Sequence, residues 1–295
     1  MKQLLVLSGK GGTGKTTVAS AMIALSEAKV YADCDVDAPN LHLVMSQKSA
    51  PERTDFFGMK KAFIDPEKCT QCGVCKSNCR FDAIHVTPDY SIDPYACEGC
   101  GLCVRLCPSD AIQMVNVKAG DVMVYEEQSL FATAKLKMGF GTSGLLVSEV
   151  KRQLKRGAHE DLSIVDGSPG IGCPVIASMS GADLVLIVAE PSLSGISDMD
   201  RIIKTAKVFS TKAVVCTNKW DLNPEMTEDI KKYCLDHGLT YLGEIPYDSH
   251  VIEAVNAGNN IMTYDCKASL ALRHIYLKLM PILMKEHALF EISSS

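Results

Sequence analysis

The sequence predicts an α/β protein with a mostly parallel sheet, into which a small α+β module rich in cysteine is inserted. The chain opens with an apolar segment, a glycine-rich turn and a segment of helical length, which is the start of a βαβ unit. Later, short apolar runs bounded by turn residues alternate with helical stretches, as in parallel strands buried on both faces. Eight of the 13 cysteines are concentrated in residues 69–107. We therefore predict that residues 1–61 and 118–295 form the α/β domain and that residues 62–117 form the inserted module.

The composition is that of a folded protein. Of the 295 residues, 47% are hydrophobic and 22% are charged, which excludes a disordered chain. The formal net charge of −5 argues against general nucleic-acid binding, because phosphate neutralisation needs an excess of lysine and arginine. The longest apolar run, Leu184–Ala189, is far shorter than the roughly 20 residues that span a bilayer. With no signal-peptide pattern, we expect a cytoplasmic protein without a membrane segment.

The elements of the α/β domain follow from these runs in order. A strand at Gln3–Leu7 leads through the glycine-rich turn into a helix at Lys15–Glu27 and then into a second strand at Val30–Ala32. Beyond the cysteine module we expect strands at Asp121–Tyr125, Leu162–Val165, Leu184–Ala189 and Ala213–Cys216. The expected helices are Leu145–Arg156, Ser197–Phe209 and Thr227–His237, with Leu270–Phe290 as a helical pair around Pro281.

Residues 139–144 have the spacing G-x-G-x-x-G of dinucleotide-binding loops, but we interpret them as a turn. Residues 132–138 before it are not a clear strand, and no acidic residue in a strand context follows about 20 residues later, as that fingerprint requires. Thr142 or Ser143 is expected to cap the helix that begins at Leu145.

The first glycine-rich turn carries the pattern G-x-x-x-x-G-K-[ST], which predicts a site for a nucleoside triphosphate and Mg²⁺. It lies between a strand and a helix, where backbone N–H groups and the positive end of the helix dipole face the phosphates. In this pattern Lys15 reaches the β- and γ-phosphates and Thr16 ligates Mg²⁺. The phosphate-binding residues are expected to be Gly9, Lys10, Gly11, Gly12, Thr13, Gly14, Lys15, Thr16 and Thr17.

The second lysine of this turn, Lys10, gives the sequence Lys-Gly-Gly-Thr-Gly-Lys-Thr-Thr. It resembles the deviant Walker A loop of the MinD, ParA and Mrp class of P-loop ATPases. The resemblance covers nearly the whole chain outside the module, and it implies a MinD-like fold, ATP hydrolysis and an ATP-dependent homodimer. In that family the extra lysine crosses the dimer interface and touches the partner's nucleotide. The resemblance therefore gives Lys10 a catalytic role beside Lys15.

Two acidic motifs continue the resemblance. Residues 33–40 resemble switch I, whose second aspartate positions the attacking water, and we assign this role to Asp35 with Asp33 and Asp37 as competing neighbours. The resemblance also places Asp35 among the Mg²⁺ residues, together with Thr16 and Asp166. Asp166 ends an apolar strand in the Walker B and switch II pattern, and it would hold Mg²⁺ through water.

The base-binding motifs of the family follow near the end of the chain. Residues 216–221 resemble the base-reading motif, in which Asn218 would face adenine. Pro246 lies in the later loop that packs on the base in that family.

The cysteine module contains an internal repeat. The pattern C-x-x-C-x-x-C-x-x-x-C, followed by Asp-Ala-Ile, occurs twice at an offset of 28 residues. This is the bacterial ferredoxin pattern for two [4Fe-4S] clusters, in which the fourth cysteine of each run ligates the other cluster. On that rule one cluster is held by Cys69, Cys72, Cys75 and Cys107, and the other by Cys97, Cys100, Cys103 and Cys79. Structural zinc is the alternative, but it is usually bound by paired C-x-x-C motifs that need no third close cysteine.

Together the motifs predict an ATPase that binds ATP, Mg²⁺ and two [4Fe-4S] clusters. Our leading hypothesis couples nucleotide-driven dimer changes to electron transfer, because clusters with four internal ligands are suited to storing and passing electrons. A second hypothesis is an iron–sulfur or metal-cofactor assembly factor or carrier of the Mrp type. A third is a ParA-like positioning ATPase with redox sensing. The first two imply a protein partner that accepts electrons or a cofactor.

Overall fold

A central sheet of nine strands organises the protein, whose computed structural model describes residues 1–285. In chain order the strands are β1 (Lys2–Leu7), β2 (Val30–Asp33), β3 (Glu52–Phe57), β4 (Lys61–Ile64), β5 (Ile84–His85), β6 (Ser91–Ile92), β7 (Ile112–Val115), β8 (Lys118–Glu126), β9 (Leu130–Leu136), β10 (Leu162–Asp166), β11 (Leu184–Ala189), β12 (Lys212–Asn218) and β13 (Thr240–Ile245). The sheet order is β13-β12-β11-β1-β10-β2-β9-β8-β3. The strands from β13 to β9 are parallel, whereas β8 is antiparallel to both β9 and β3.

Helices cover both faces of this sheet. In chain order the helices are α1 (Lys15–Ser26), α2 (Val74–Asn78), α3 (Leu102–Leu106), α4 (Ser143–Gln153), α5 (Cys173–Met179), α6 (Leu193–Val208), α7 (Pro224–Asp236), α8 (Ser249–Asn256) and α9 (Lys267–Met284). Of these, α2 and α3 lie in the cysteine-rich segment and not on the large sheet. Short 3₁₀ helices lie at Leu41–Leu43, Leu154–Gly157, Trp220–Leu222 and Ile261–Thr263. Helices α4 to α7 pack in one core on one face, and α1, α8 and α9 pack in a second core on the other. Burial on both faces explains why the central strands are continuous apolar runs.

The sheet contains three strands that the sequence did not indicate, which are β3, β9 and the edge strand β13. We expected no clear strand in residues 132–138, but β9 covers Leu130–Leu136 and pairs with β2. Small and polar residues such as Ala132 and Thr133 interrupt its apolar run, although both are buried. The edge strand β3 is mostly exposed and charged, so it lacks any apolar run. The cysteine module therefore leaves the sheet after the third strand rather than after the second.

Helix starts differ from the expected ones where a polar cap lies further upstream. α6 begins at Leu193 because the Ser192 side chain accepts a hydrogen bond from the Gly195 N–H. Likewise Asn223 caps α7 by accepting from the Met226 N–H. The capping expected from Thr142 or Ser143 is wrong, since α4 begins at Ser143 without a side-chain cap.

The C-terminal segment forms one helix rather than the expected pair. α9 continues through Pro281 to Met284, and the remainder of the predicted segment, residues 286–290, lies outside the described residues. Among residues 1–285, no helix combines the length and the apolar character that crossing a membrane requires.

The cysteine-rich segment has its own small sheets and core. β4 pairs with β7, and β5 pairs with β6, both antiparallel. Ile64, Ile84 and Ile112 form an apolar cluster with several of the cysteines, separate from the two cores of the large sheet. The segment is connected to the large sheet through the neighbouring strands β3 and β8.

Candidate nucleotide and cysteine sites

The glycine-rich loop lies between β1 and α1, at the carboxyl edge of the parallel sheet. Gly12 and Gly14 have φ angles of 80° and 90°, which glycine adopts without strain. A Cβ atom on Gly14 would lie 2.3 Å from Asn218 Nδ2, so a side chain there would also push the loop away from the end of β12. Because α1 begins directly at Lys15, its first free N–H groups are available to an anion held in the loop.

Lys15 and Asp166 form a buried ion pair beside this loop. Their side chains are 6% and 0% exposed, and Lys15 Nζ donates to Asp166 Oδ1. Burial by itself lowers the pKa of Lys15, but the carboxylates of Asp166, Asp33 and Asp35 outweigh it and the pKa is raised. Asp166 Oδ2 is buried and has no hydrogen-bond partner within residues 1–285. An orphaned carboxylate oxygen at a phosphate loop suits a hard cation such as Mg²⁺.

The three aspartates of residues 33–37 have different surroundings. Asp33 is fully buried, and its carboxylate accepts hydrogen bonds from the backbone N–H groups of Asp35, Asn40 and Leu41. Burial and the Asp166 carboxylate raise the pKa of Asp33 to about 7. Asp35 and Asp37 instead line the open cavity in front of the loop, and burial raises the pKa of Asp35. Asp33 therefore holds the segment in shape, which leaves Asp35 and Asp37 able to meet a ligand.

Lys10 forms an ion pair with an acidic residue that the sequence analysis missed. Its Nζ lies 2.6 Å from Glu190 Oε2, and its side chain is 41% exposed. Glu190 directly follows β11, and Lys219 Nζ lies 3.5 Å from its other oxygen while donating to the Gly12 carbonyl. The position of Glu190 after a buried parallel strand was the available signal, since ligand-site residues gather at the carboxyl ends of such strands.

Asn218 ties the base-reading segment to the phosphate loop. Its Nδ2 donates to the Thr13 carbonyl at 2.7 Å, and its Oδ1 accepts from the Lys219 N–H at 3.0 Å. The second N–H of the amide has no hydrogen bond to the described residues, and Asn218 lines the cavity together with Pro246. Asn218 thus has a structural bond in addition to the predicted contact with a base.

The cavity in front of the loop has the size of a small-molecule site and is lined by polar and apolar residues. Its volume is about 820 Å³, within the ordinary range for small-molecule sites. One end is formed by the loop, including Lys15 and Thr16. The cavity is also lined by apolar side chains, which are Leu43, Val44, Val251, Ile252, Val255 and Ile261, and by the polar residues Asp248 and Asn259. A loop that can hold phosphates and an apolar wall are the two kinds of surface that a nucleotide needs.

Comparison with models of protein families identifies the family of this chain. Residues 4–261 match the CobQ/CobB/MinD/ParA nucleotide binding domain. The chain belongs to this family. The sequence-based prediction of a MinD/ParA-type P-loop ATPase with a mostly parallel sheet is thereby confirmed.

Three similar proteins illustrate the range of this family. An uncharacterised protein of Methanocaldococcus jannaschii is 32% identical over 284 residues, which cover 94% of this chain and 96% of that protein. An iron–sulfur cluster carrier protein of Pyrococcus horikoshii is 24% identical over 284 residues, 89% of this chain and 80% of that protein. The solved structure of the septum site-determining protein MinD with Mg-ADP, also from Pyrococcus horikoshii, matches with a TM-score of 0.59 at 19% identity. It covers 95% of this chain and 96% of that chain, and it shows the shared fold.

The cysteines of this MinD/ParA-type chain line two separate cavities in the module. The first cysteine cavity is lined by Cys69, Cys72, Cys75 and Cys107. The second cysteine cavity is lined by Cys79, Cys97, Cys100 and Cys103, with Cys75 as a further wall residue. Each cavity therefore contains one of the predicted sets of four thiols, including the cysteine contributed by the other repeat.

The chemistry of the two cavities suits an iron–sulfur cluster. All 13 cysteines are free, and apart from the thiols the lining is mainly apolar side chains and backbone, without histidine. Soft thiolate donors select iron–sulfur clusters, copper(I) or zinc, and a set of four thiols matches the number of ligands that a four-iron cluster takes. Gly73 and Gly101, at equivalent repeat positions, have φ angles of 79° and 73°, so both repeats turn around their cavity in the same way.

Proposed function

We propose that this MinD/ParA-type ATPase hydrolyses Mg²⁺-ATP and carries two [4Fe-4S] clusters, and that it couples nucleotide-driven dimer changes to electron transfer. The observation that carries the redox part is the pair of cysteine cavities, each lined by one of the predicted sets of four thiols of this one chain. Clusters that are fully ligated within one chain are suited to retention and electron transfer rather than to release. The domain limits 1–61, 62–117 and 118–295 are part of the same proposal.

The proposed hydrolysis uses residues that line the cavity or lie directly beside it. Lys15 would leave Asp166 to neutralise the phosphates, while Thr16 and Asp166 would hold the metal ion, directly and through water. Mg²⁺ would neutralise charge that develops on the phosphate oxygens. Asp35 would orient the attacking water, and its raised pKa makes its carboxylate a better proton acceptor. The amide of Asn218 and the ring of Pro246 would contact the base.

The proposed dimer step concerns Lys10. In the single chain its ammonium is paired with Glu190, a contact that is partly exposed and therefore weak. Release of this contact would free Lys10 to reach a nucleotide in a second copy, as the resemblance to the deviant Walker A class implies. Glu190 would then keep its second cation, Lys219.

A carrier function is the second candidate, because one thiol of each set is accessible. Cys72 and Cys100 are exposed, whereas Cys75 and Cys97 are buried. An exposed ligand is a point at which an acceptor could attack a cluster, and one relative has the name iron–sulfur cluster carrier protein. Retention against a chelator distinguishes the two candidates.

The test begins with protein purified without oxygen. We expect about eight iron atoms per chain from two four-iron clusters, and stoichiometric zinc without iron would contradict the proposal. Lys15→Ala should abolish ATP binding in a calorimetric titration while the iron content is unchanged. If bathophenanthroline removes iron within minutes in the presence of ATP, but not of ADP, the carrier function is favoured. Iron that resists the chelator and is reversibly reduced by dithionite supports electron transfer.

A further inference from the structure

A buried lysine lies at the wall of the second cysteine cavity. Lys61 begins β4 and is 5% exposed. Its Nζ donates to the carbonyl oxygen of Cys97 at 2.5 Å, and the next residue, Ala62, lines the same cavity. The first cysteine cavity is instead lined by Ile64, at the far end of β4.

Lys61 has no acidic partner within the described residues 1–285. Within these residues no carboxylate oxygen lies within 4.0 Å of its Nζ, which makes one hydrogen bond and lies over the face of the Phe140 ring, 5.7 Å from the ring centroid. A buried ammonium is costly unless a negative charge compensates it. One carbonyl and one aromatic face supply only part of that compensation.

An iron–sulfur cluster in the second cysteine cavity would supply the missing charge. A four-iron cluster with four thiolate ligands is a net anion, and it becomes more negative by one charge when it is reduced. Because the Sγ and carbonyl atoms of one cysteine are only a few ångströms apart, Lys61 would be close to this charge. Coulomb attraction to a buried cation favours the reduced state.

The loop that holds Lys61 in place comes from the ATPase domain. Phe140 packs edge-on against Tyr95 of the module, with ring centroids 5.2 Å apart. Gly139 has a φ of 88°, and a Cβ atom there would lie 2.8 Å from the Tyr95 ring. The glycine-rich turn at residues 139–144 therefore docks the module rather than binding a dinucleotide, and it gives Lys61 a fixed position.

Resting on the proposed iron–sulfur function, we propose that Lys61 is a positioning residue that raises the reduction potential of the cluster held by Cys79, Cys97, Cys100 and Cys103. Its effect on the cluster of the first cysteine cavity is expected to be smaller. The two clusters would then differ in potential, which gives electrons a preferred direction through the module.

The test compares Lys61→Met with Lys60→Met in the full chain. Both variants remove one positive charge from neighbouring residues, but Lys60 is exposed. Potentials are measured by electron paramagnetic resonance titration in a background in which Cys69 and Cys72 are replaced by serine, so that only the second cluster remains. Lys61→Met should reduce the equilibrium constant for reduction about tenfold, a shift of about 59 mV to lower potential for one electron. Lys60→Met should change the equilibrium constant for reduction by less than about threefold, which corresponds to roughly half of the 59 mV shift.

Iron analysis separates the possible failures. Absence of iron from the wild-type chain would refute the proposed function itself. Loaded clusters with equal potentials in Lys61→Met and wild-type protein would overturn the role of Lys61 alone. If Lys61→Met and Lys61→Gln both lose the second cluster while Lys61→Arg retains it, the potential of Lys61→Arg decides: a potential equal to that of wild-type protein supports the role of the positive charge, and a lower one contradicts it. Equal loss in all three variants would show that Lys61 acts through packing, which contradicts the proposal.

Discussion

The two lysines of the phosphate loop provide a direct test of the structure through protein stability. Lys15→Ala and Lys10→Ala remove the same side chain from the same loop, but the ion pairs differ in burial. The side chains of the Lys15 pair are 6% and 0% exposed, whereas those of the Lys10 pair are 41% and 22% exposed. We expect Lys15→Ala to be much the more destabilising change in nucleotide-free protein.

The size of the change in the free energy of unfolding depends on the charge that remains without a partner after each substitution. Without Lys15, the buried Asp166 carboxylate has no cation, and Asp33 loses the same neutralising charge. Removal of one partner of a buried pair costs about 3–5 kcal/mol. Without Lys10, Glu190 is still close to Lys219, and an exposed pair contributes only about 0–1 kcal/mol. The expected difference in the free energy of unfolding is therefore about 3 kcal/mol.

Urea denaturation without nucleotide, followed by circular dichroism, measures this difference. The double variant Lys15→Ala/Asp166→Asn is the control, because it removes the uncompensated charge and should recover part of the lost stability. Iron content must be equal in all samples, so that the cysteine module does not contribute to the difference. If the two single variants agreed within about 1 kcal/mol, the buried pair in the structure would be incorrect.

Three further outcomes are expected. Lys10→Ala should retain its affinity for ATP, but its rate of ATP hydrolysis should fall about tenfold or more and light scattering should show no ATP-dependent dimer. Turnover at the wild-type rate would contradict the role of Lys10 across the dimer interface. Cys107→Ser should lower the iron content from about eight to about four atoms per chain and remove the signal of the first cluster; loss of the second cluster instead would contradict the crossed ligation. Burial lowers the pKa of Lys151 from 10.5 to about 8 in the folded protein. At a pH between these two pKa values, the unfolded chain binds more protons than the folded chain, so the free energy of unfolding rises with pH. Lys151→Met should remove this rise in urea denaturation series, and an identical rise in the variant would refute the assignment.

Local patterns in the sequence were sufficient to predict the phosphate loop and the central strands of the sheet. The phosphate loop, the strand that ends in Asp166 and the apolar central strands are each defined by a few adjacent residues. Long-range contacts were not visible in this way, since Lys10 and Glu190 are far apart in the chain and no pattern links them. The exposed edge strand β3 was missed because it is polar, and β9 was missed because small residues interrupt its apolar run. The second edge strand, β13, was missed because Gly243 and Glu244 interrupt its apolar residues. The burial of Lys61 was also hidden, because lysine is ordinarily a surface residue.

The connection between the module and the sheet has a consequence for how such a protein can be assembled. Phe57, which ends β3, is the register partner of Lys118, which begins β8. The module is thus an expanded tip of one β-hairpin, and a short turn of the kind that usually joins antiparallel strands could close the gap in its absence. Gain or loss of the module changes one loop at the edge of the sheet. The phosphate loop follows β1, which lies on the other side of β2 in the sheet, and it is not changed. A MinD/ParA-type ATPase built on this plan can acquire or discard the cysteine module in a single insertion or deletion.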